Sequence, residues 1–180
     1  MGGAFFTIGH SNRSLEEFLA LLEESAVELV VDVRRLPGSS KHPQFDEDAL
    51  GGSLDTAEVE LVPSPALTGR RPVSRTAPFE VNAWWQNRSF HNYADHALSD
   101  EFADALDELR AWGSEKRVAV MCAEAVWWRC HRRIIADHLL AHGESVQHIM
   151  GAEKTMDAKL SDGARVGEDG RVTYPATAQG

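Results

Sequence analysis

The segment Cys122-Ala-Glu124-Ala-Val-Trp-Trp-Arg129-Cys130-His131-Arg132-Arg133 gathers two thiols, a carboxylate, an imidazole and three guanidinium groups. Three chemistries fit these residue types. A thiolate at Cys122 is a nucleophile, activated by nearby arginines and by the start of the helix that follows. Glu124 and His131 suit general acid and base work at the rim of one loop. Arg132, with Arg34 and the Ser39-Ser40-Lys41 loop, suits a phosphate, carboxylate or nucleotide, because guanidinium forks match such groups with paired hydrogen bonds. Each reading has a structural alternative. Cys122 can fill the top of the core as a small apolar residue. Glu124 can pair with Arg34 or Arg132, and the arginines can form an internal lattice with Asp32, Glu124 and Asp137. Cys122, Cys130, His131 and His10 are zinc or iron ligand types, but neither C-x-x-C nor H-x-x-x-H spacing occurs, so no metal site is expected. No cofactor is identified.

The elements around this segment place it. Val118-Ala-Val-Met121 reads as a buried strand and Ile134, Ile135 and Leu139, closed by Gly143, as the helix after it. The expected site therefore lies between a strand's C-terminal end and a helix N-terminus, where unpaired N–H groups and the helix dipole favour anions and thiolates. Cys122 is expected to face the pocket or core and to be the more reactive thiol, with Cys130 packing sideways. Upstream, Ala4–Ile8 reads as a strand ending at Gly9-His10, and Ser14 and Glu17 have capping-box spacing. Leu15, Phe18, Leu19 and Leu22 share one helix face. Leu29–Val33 is the next buried strand, so the Gly9-His10-Ser11 loop and the Arg34-Arg35 loop fall at the same edge of a parallel sheet. Further expectations are a short helix over 45–54, a strand over 58–62, a long irregular segment over 63–82, and a helix over 84–97. Another helix is capped by Ser99, and a strand spans 145–149. Asp169-Gly170 between short β-like runs signals a hairpin in a C-terminal extension, 151–180. The βα order points to one domain over 1–180: a three-layer α/β sandwich with a mostly parallel sheet.

Composition sets the partners. The chain has 180 residues, 43% hydrophobic, enough for one well-buried domain. No apolar run approaches the about 20 residues of a membrane span, and no secretion signal is read at the N-terminus. Two cysteines make no disulfide framework, and thiols at a loop–helix junction suit a reducing cytosol, so the expected location is cytoplasmic. The net charge of −10 argues against coating nucleic acid by bulk electrostatics. The acids crowd predicted helix faces, whereas Arg34, Arg35, Lys41, Arg70, Arg71, Arg75, Arg129, Arg132 and Arg133 lie in predicted loops or at the start of the last helix. If those loops meet, an acidic protein carries a positive pocket suited to a small anionic ligand. Trp84, Trp85, Phe90, Tyr93, Trp127 and Trp128 form either a stacking wall for a base or part of a core or homodimer interface.

Several motifs in order carry a family resemblance: Thr7-Ile-Gly-His10-Ser11, Val31-Asp32-Val-Arg34 with Pro37 and Ser39, Leu67-Thr-Gly69-Arg70-Arg71, Ser89-Phe-His-Asn-Tyr93-Ala94, and Cys122-Ala-Glu124 with Cys130-His131-Arg132. On these the chain resembles the bacterial family catalogued as domain of unknown function 488, from about Phe5 to Ile149, which implies an α/β domain without an established activity. The strand-borne cysteine layout is also similar to rhodanese-like and cysteine-phosphatase loops. The spacing from Cys122 to Arg129 is one residue longer than in the phosphatases, and Glu124 stands where such loops are usually uncharged.

The pocket is expected to be lined by Gly9, His10, Ser11, Asp32, Arg34, Ser39, Cys122, Glu124, His131 and Arg132. The first functional reading is an enzyme acting on a small anionic or nucleotide-like substrate, with Cys122, Glu124 and His131 as catalytic residues. The alternatives are a non-catalytic anion- or metabolite-binding regulatory domain and a nucleic-acid-processing accessory protein.

Overall fold

The computed structural model describes residues 4–38 and 41–176. A six-stranded sheet runs in the order β3-β2-β4-β1-β5-β6. Its strands are β1 (Ala4–Gly9), β2 (Leu29–Asp32), β3 (Glu60–Pro63), β4 (Val118–Cys122), β5 (Ser145–Gly151) and β6 (Lys154–Asp157). The first five pair in parallel, and β6 joins antiparallel at one edge. The central strands are continuous apolar runs, as strands covered on both faces must be.

Alternation along the strands splits the core into two layers of contact. Phe5, Val31, Val118, Val120 and Cys122 point to one face, with Tyr93 of α3 (Arg88–His96), Leu106 of α4 (Asp100–Glu115) and Ile135 of α5 (Arg132–Ala141). Phe6, Ile8, Val30, Ala119 and Met121 point to the other, with Phe18 and Leu22 of α1 (Leu15–Glu24) and Leu50 and Leu54 of α2 (Glu47–Thr56). The result is helix, sheet, helix: a three-layer α/β sandwich. Among the described residues no helix is long and apolar enough to cross a membrane.

Local chemistry sets the boundaries. The Ser14 hydroxyl accepts the Glu17 N–H while Glu17 accepts the Ser14 N–H, which starts α1. Asn87 and Ser99 cap α3 and α4. Gly143, at φ 85°, follows α5 in the left-handed conformation that L side chains disfavour. The helix expected from Trp84 begins only at Arg88. The Trp84 N–H instead donates to the carbonyl of Tyr174, and the Tyr174 N–H to that of Val81. That contact with the chain's end holds the two tryptophans in a turn.

Past β6 the chain packs back on the domain through the antiparallel pair β7 (Arg165–Val166) and β8 (Val172–Thr173). Tyr174 is fully buried, and its hydroxyl donates to Asp137 Oδ2 at 2.7 Å. Gly170, at φ 81°, makes the turn between the two strands.

Candidate active site at the carboxyl end of β4

Because β4 lies between β1 and β2, the loops leaving these three strands emerge side by side. The His10 N–H donates to Cys122 O, the Ser11 N–H to Ala123 O and the Val33 N–H to Met121 O. The three segments are thus stitched together just beyond the sheet. Gly9 sits in register with Cys122, and a Cβ there would lie inside the Glu124 carbonyl. Glycine lets the 123–125 backbone cross directly over the end of β1.

A cavity of about 460 Å³ opens beside this crossing. Cys122, Cys130 and His131 line it, with Tyr93 and Phe90 from α3, Gly69 and Arg70, Arg34 and Arg35, and Glu124 and Arg129. Of the residues expected at the site, Arg34, Cys122, Glu124 and His131 line the cavity. Gly9, His10, Ser11, Asp32 and Arg132 are not among its lining residues, and Ser39 lies outside the described residues.

Arg34 on the cavity wall and its neighbours Asp32 and His10 hold one another. Arg34 is buried, with Nε and Nη2 on the Asp32 carboxylate and Nη1 on the Phe45 carbonyl and 3.4 Å from His10 Nε2. His10 stacks on Phe45 with ring centroids 4.4 Å apart, and Nδ1 contacts the Ser11 carbonyl. Burial, with Arg34 adding to it, pushes the pKa of His10 down to about 4, so the ring is neutral and can accept from Arg34. Ser11, at φ 49°, turns the chain.

Arg132 is the largest fully buried side chain, at 1% exposure. Nη1 donates to Thr7 Oγ1 at 3.0 Å, Nη2 donates to the Glu124 carbonyl at 2.7 Å, and Nε has no partner. Thr7 Oγ1 lies 2.6 Å from Nδ1 of His148, whose pKa falls to about 4 through burial and the Arg132 charge. Among the described residues no carboxylate forms an ion pair with Arg132. The charge of this buried guanidinium acts to lower the pKa of both cysteine thiols.

Cys122 Sγ and Cys130 Sγ lie 2.9 Å apart, both buried and both free. Burial pushes the Cys122 thiol well up, and the Cys130 sulfur pushes it further. At Cys130 burial acts in the same direction but is outweighed. Hydrogen bonds from Cys122 and from His131 Nδ1, then the electrostatic influence of His131 and last that of Arg132, hold this thiol well below its ordinary range. The Arg132 backbone N–H also points at Cys130 Sγ, at 3.4 Å. The two thiols are thus shifted in opposite directions, up at Cys122 and down at Cys130, as befits neighbouring groups that titrate together.

His131 leans on Tyr93, ring centroids 4.9 Å apart, and the Tyr93 hydroxyl donates to the Leu67 carbonyl. A Cβ at Gly69 would press on the His131 ring, so the glycine makes room for it. His131 Nε2 is buried without a partner. Arg35, Arg70 and Arg129 are exposed at the mouth, where the Arg35 guanidinium donates to the Arg70 carbonyl. Glu124 is the carboxylate among the described lining residues; it is exposed, and its Oε1 accepts the Val126 N–H.

Most of the tryptophans pack elsewhere. Arg133 lies over the rings of Trp84, Trp85 and Trp127, Tyr174 packs against the first two, and Trp127 stacks on His148. Among the described residues no group of three or more His, Cys, Asp or Glu side chains is arranged to hold a metal ion.

In the sequence Arg35, Arg70 and Arg129 stand out only as loop arginines, and Gly69 and Thr7 only within motifs. No curated protein and no solved structure matches the chain. One family model, described as domain of unknown function DUF488, matches residues 14–139, a span that holds Arg34, Gly69, Tyr93 and the whole Cys122–Arg132 loop; the chain belongs to that family.

Proposed function

We propose that the chain is an enzyme that takes a small anionic or nucleotide-like substrate into this cavity and acts on it through the Cys122–Cys130 thiol pair. One observation carries the reading: two sulfurs 2.9 Å apart on the wall of the cavity, beside a fully buried guanidinium that has no carboxylate partner among the described residues. Such an arrangement stabilises a thiolate at neutral pH, which a core cysteine has no need of. Arg35, Arg70 and Arg129 at the mouth supply the charge that attracts an anion. Tyr93 and Phe90 supply apolar surface beside it. A reducing compartment such as the cytoplasm suits free thiols in this setting.

The test is site-resolved alkylation by iodoacetamide as a function of pH. Cys130 is expected to label with a midpoint well below the roughly 8.5 of a free thiol, and phosphate, sulfate or a nucleoside monophosphate is expected to slow that labelling. Slow, equal labelling of both cysteines would assign them to the core. Fast labelling that no anion slows would keep the thiolate and remove the substrate class. The exposed mouth arginines also support a second reading, a non-catalytic anion-binding domain. Anion binding by a protein whose Cys130 is inert would favour that one.

A further inference from the structure

The two sulfurs, the arginine behind them and the positive mouth suggest a more specific chemistry. A single nucleophilic thiolate needs a general base or an anion cradle, not a second thiol. Here the second thiol touches the first, and Cys122 Sγ at 2.9 Å is nearer to Cys130 Sγ than His131 Nδ1 at 3.5 Å. The sulfurs need to close by only roughly 0.9 Å to reach the about 2.05 Å of a disulfide. We propose that this is a two-electron dithiol centre that reduces small anionic organic disulfides, with Cys130 attacking and Cys122 resolving. The inference rests on the thiolate reading above.

The steps balance without a metal or a bound cofactor. Cys130 Sγ attacks one sulfur of the substrate; a Cys130–substrate disulfide forms, the substrate S–S bond breaks, and its electron pair leaves on the departing thiolate. That thiolate takes the Cys122 proton and departs as a thiol. Cys122 Sγ then attacks Cys130 Sγ, the mixed disulfide breaks, and the second half of the substrate departs as a thiolate. The pair is oxidised to the Cys122–Cys130 disulfide and the substrate is reduced by the same two electrons. An external dithiol reopens the protein disulfide and is itself oxidised.

Size and charge choose the substrate class. Hydrogen peroxide is uncharged and two heavy atoms in size, and needs neither 460 Å³ nor the arginines Arg35, Arg70 and Arg129. An organic disulfide with carboxylates fills such a space, and its departing anion is received by those arginines. The proton on Cys122 is useful in the resting state, because it keeps the resolving sulfur from competing for substrate.

The experiment is a reaction of the whole protein with one equivalent of dithiobis(nitrobenzoate), an anionic disulfide. Wild-type protein is expected to release both thionitrobenzoate halves, retain no adduct, and lose two hydrogens in mass. Cys122→Ser is expected to stop at a mixed disulfide on Cys130, and Cys130→Ser to react slowly. Against the neutral bis-amide of the same reagent, with rates normalised to a free thiol, the anion is expected to react about tenfold faster or more. A stable adduct on either wild-type cysteine overturns the dithiol mechanism, and it needs no variant to fold. Equal normalised rates overturn the anionic substrate class. Where adducts persist but Cys130 still alkylates at low pH with anion protection, the thiolate enzyme stands and only the disulfide chemistry falls.

Discussion

At the scale of single residues, Arg132 and Cys130 depend on each other. The guanidinium is too deeply buried to be balanced by solvent, and its hydrogen bonds go to a hydroxyl and backbone carbonyls, which carry no net charge. Its charge is one of the influences that lower the Cys130 thiol, after the hydrogen bonds from Cys122 and His131. Replacing Arg132 by Met is therefore expected to raise the Cys130 thiol toward the about 8.5 of an ordinary cysteine, read from the pH dependence of thiolate absorbance. It is also expected to cost about 1–3 kcal/mol in thermal or denaturant unfolding, through the lost bonds to Thr7 and Glu124. A Cys130 midpoint that does not move in a folded Arg132→Met protein would remove Arg132 as the counter-ion. Arg34 makes the instructive contrast. It touches the cavity, yet its guanidinium is engaged by Asp32, Phe45 and His10.

At the scale of elements, the loop from β4 to α5 owes its course to Gly9. The Glu124 carbonyl that passes over Gly9 is the same one that accepts from Arg132. Gly9→Ala is expected to push that carbonyl away, destabilise the fold by about 1–3 kcal/mol or more, and reduce the labelling preference for Cys130 over Cys122. Gly52, in α2, is the control: a Cβ there meets nothing within 4 Å. Gly52→Ala is expected to stabilise by about 0.5–1 kcal/mol with labelling unchanged. Equal behaviour of the two variants would show that close approach at Gly9 does not shape the site. The capping of α1 and the apolar run of β4 are local and were legible in sequence. The crossing over Gly9 was not, because it joins residues more than a hundred positions apart.

At the scale of the whole molecule, three buried histidines make the fold sensitive to acid. Burial, as the largest cause, holds His10 and His148 down to about 4 and His138 to about 3. In the unfolded chain each titrates near 6.5. Above that pH both states are neutral and stability is full. As pH falls through 6.5 the unfolded state takes protons that the folded state refuses, and stability is lost until the folded values are reached. Each histidine contributes up to about 1.4 kcal/mol per pH unit in this window. Asp137, raised by burial, works in the opposite direction but is a single group. The melting temperature is expected to fall steadily from pH 6.5 toward 4; a flat profile would mean that these histidines are not held neutral.

The strand and helix pattern follows from local sequence, because apolar periodicity and caps act within a few residues. The three-layer class and the placing of the Cys122–Arg132 loop at the carboxyl end of β4 follow from the same pattern. The start of α3 does not, since the backbone of Trp84 is held by Tyr174, ninety positions along the chain. Nor does the division of the arginines. Arg34 and Arg35 are neighbours in sequence, yet one is locked on Asp32 and the other stands at the mouth. The sequence placed two cysteines near one helix, and its local cues favoured Cys122 as the thiolate. Only the tertiary structure shifts the two thiols apart, up at Cys122 and down at Cys130, because a thiol's pKa depends on which donors and charges surround it in space. Those donors come from Cys122 on β4 and His131 and Arg132 at the start of α5, and Thr7 on β1 helps hold Arg132 in place.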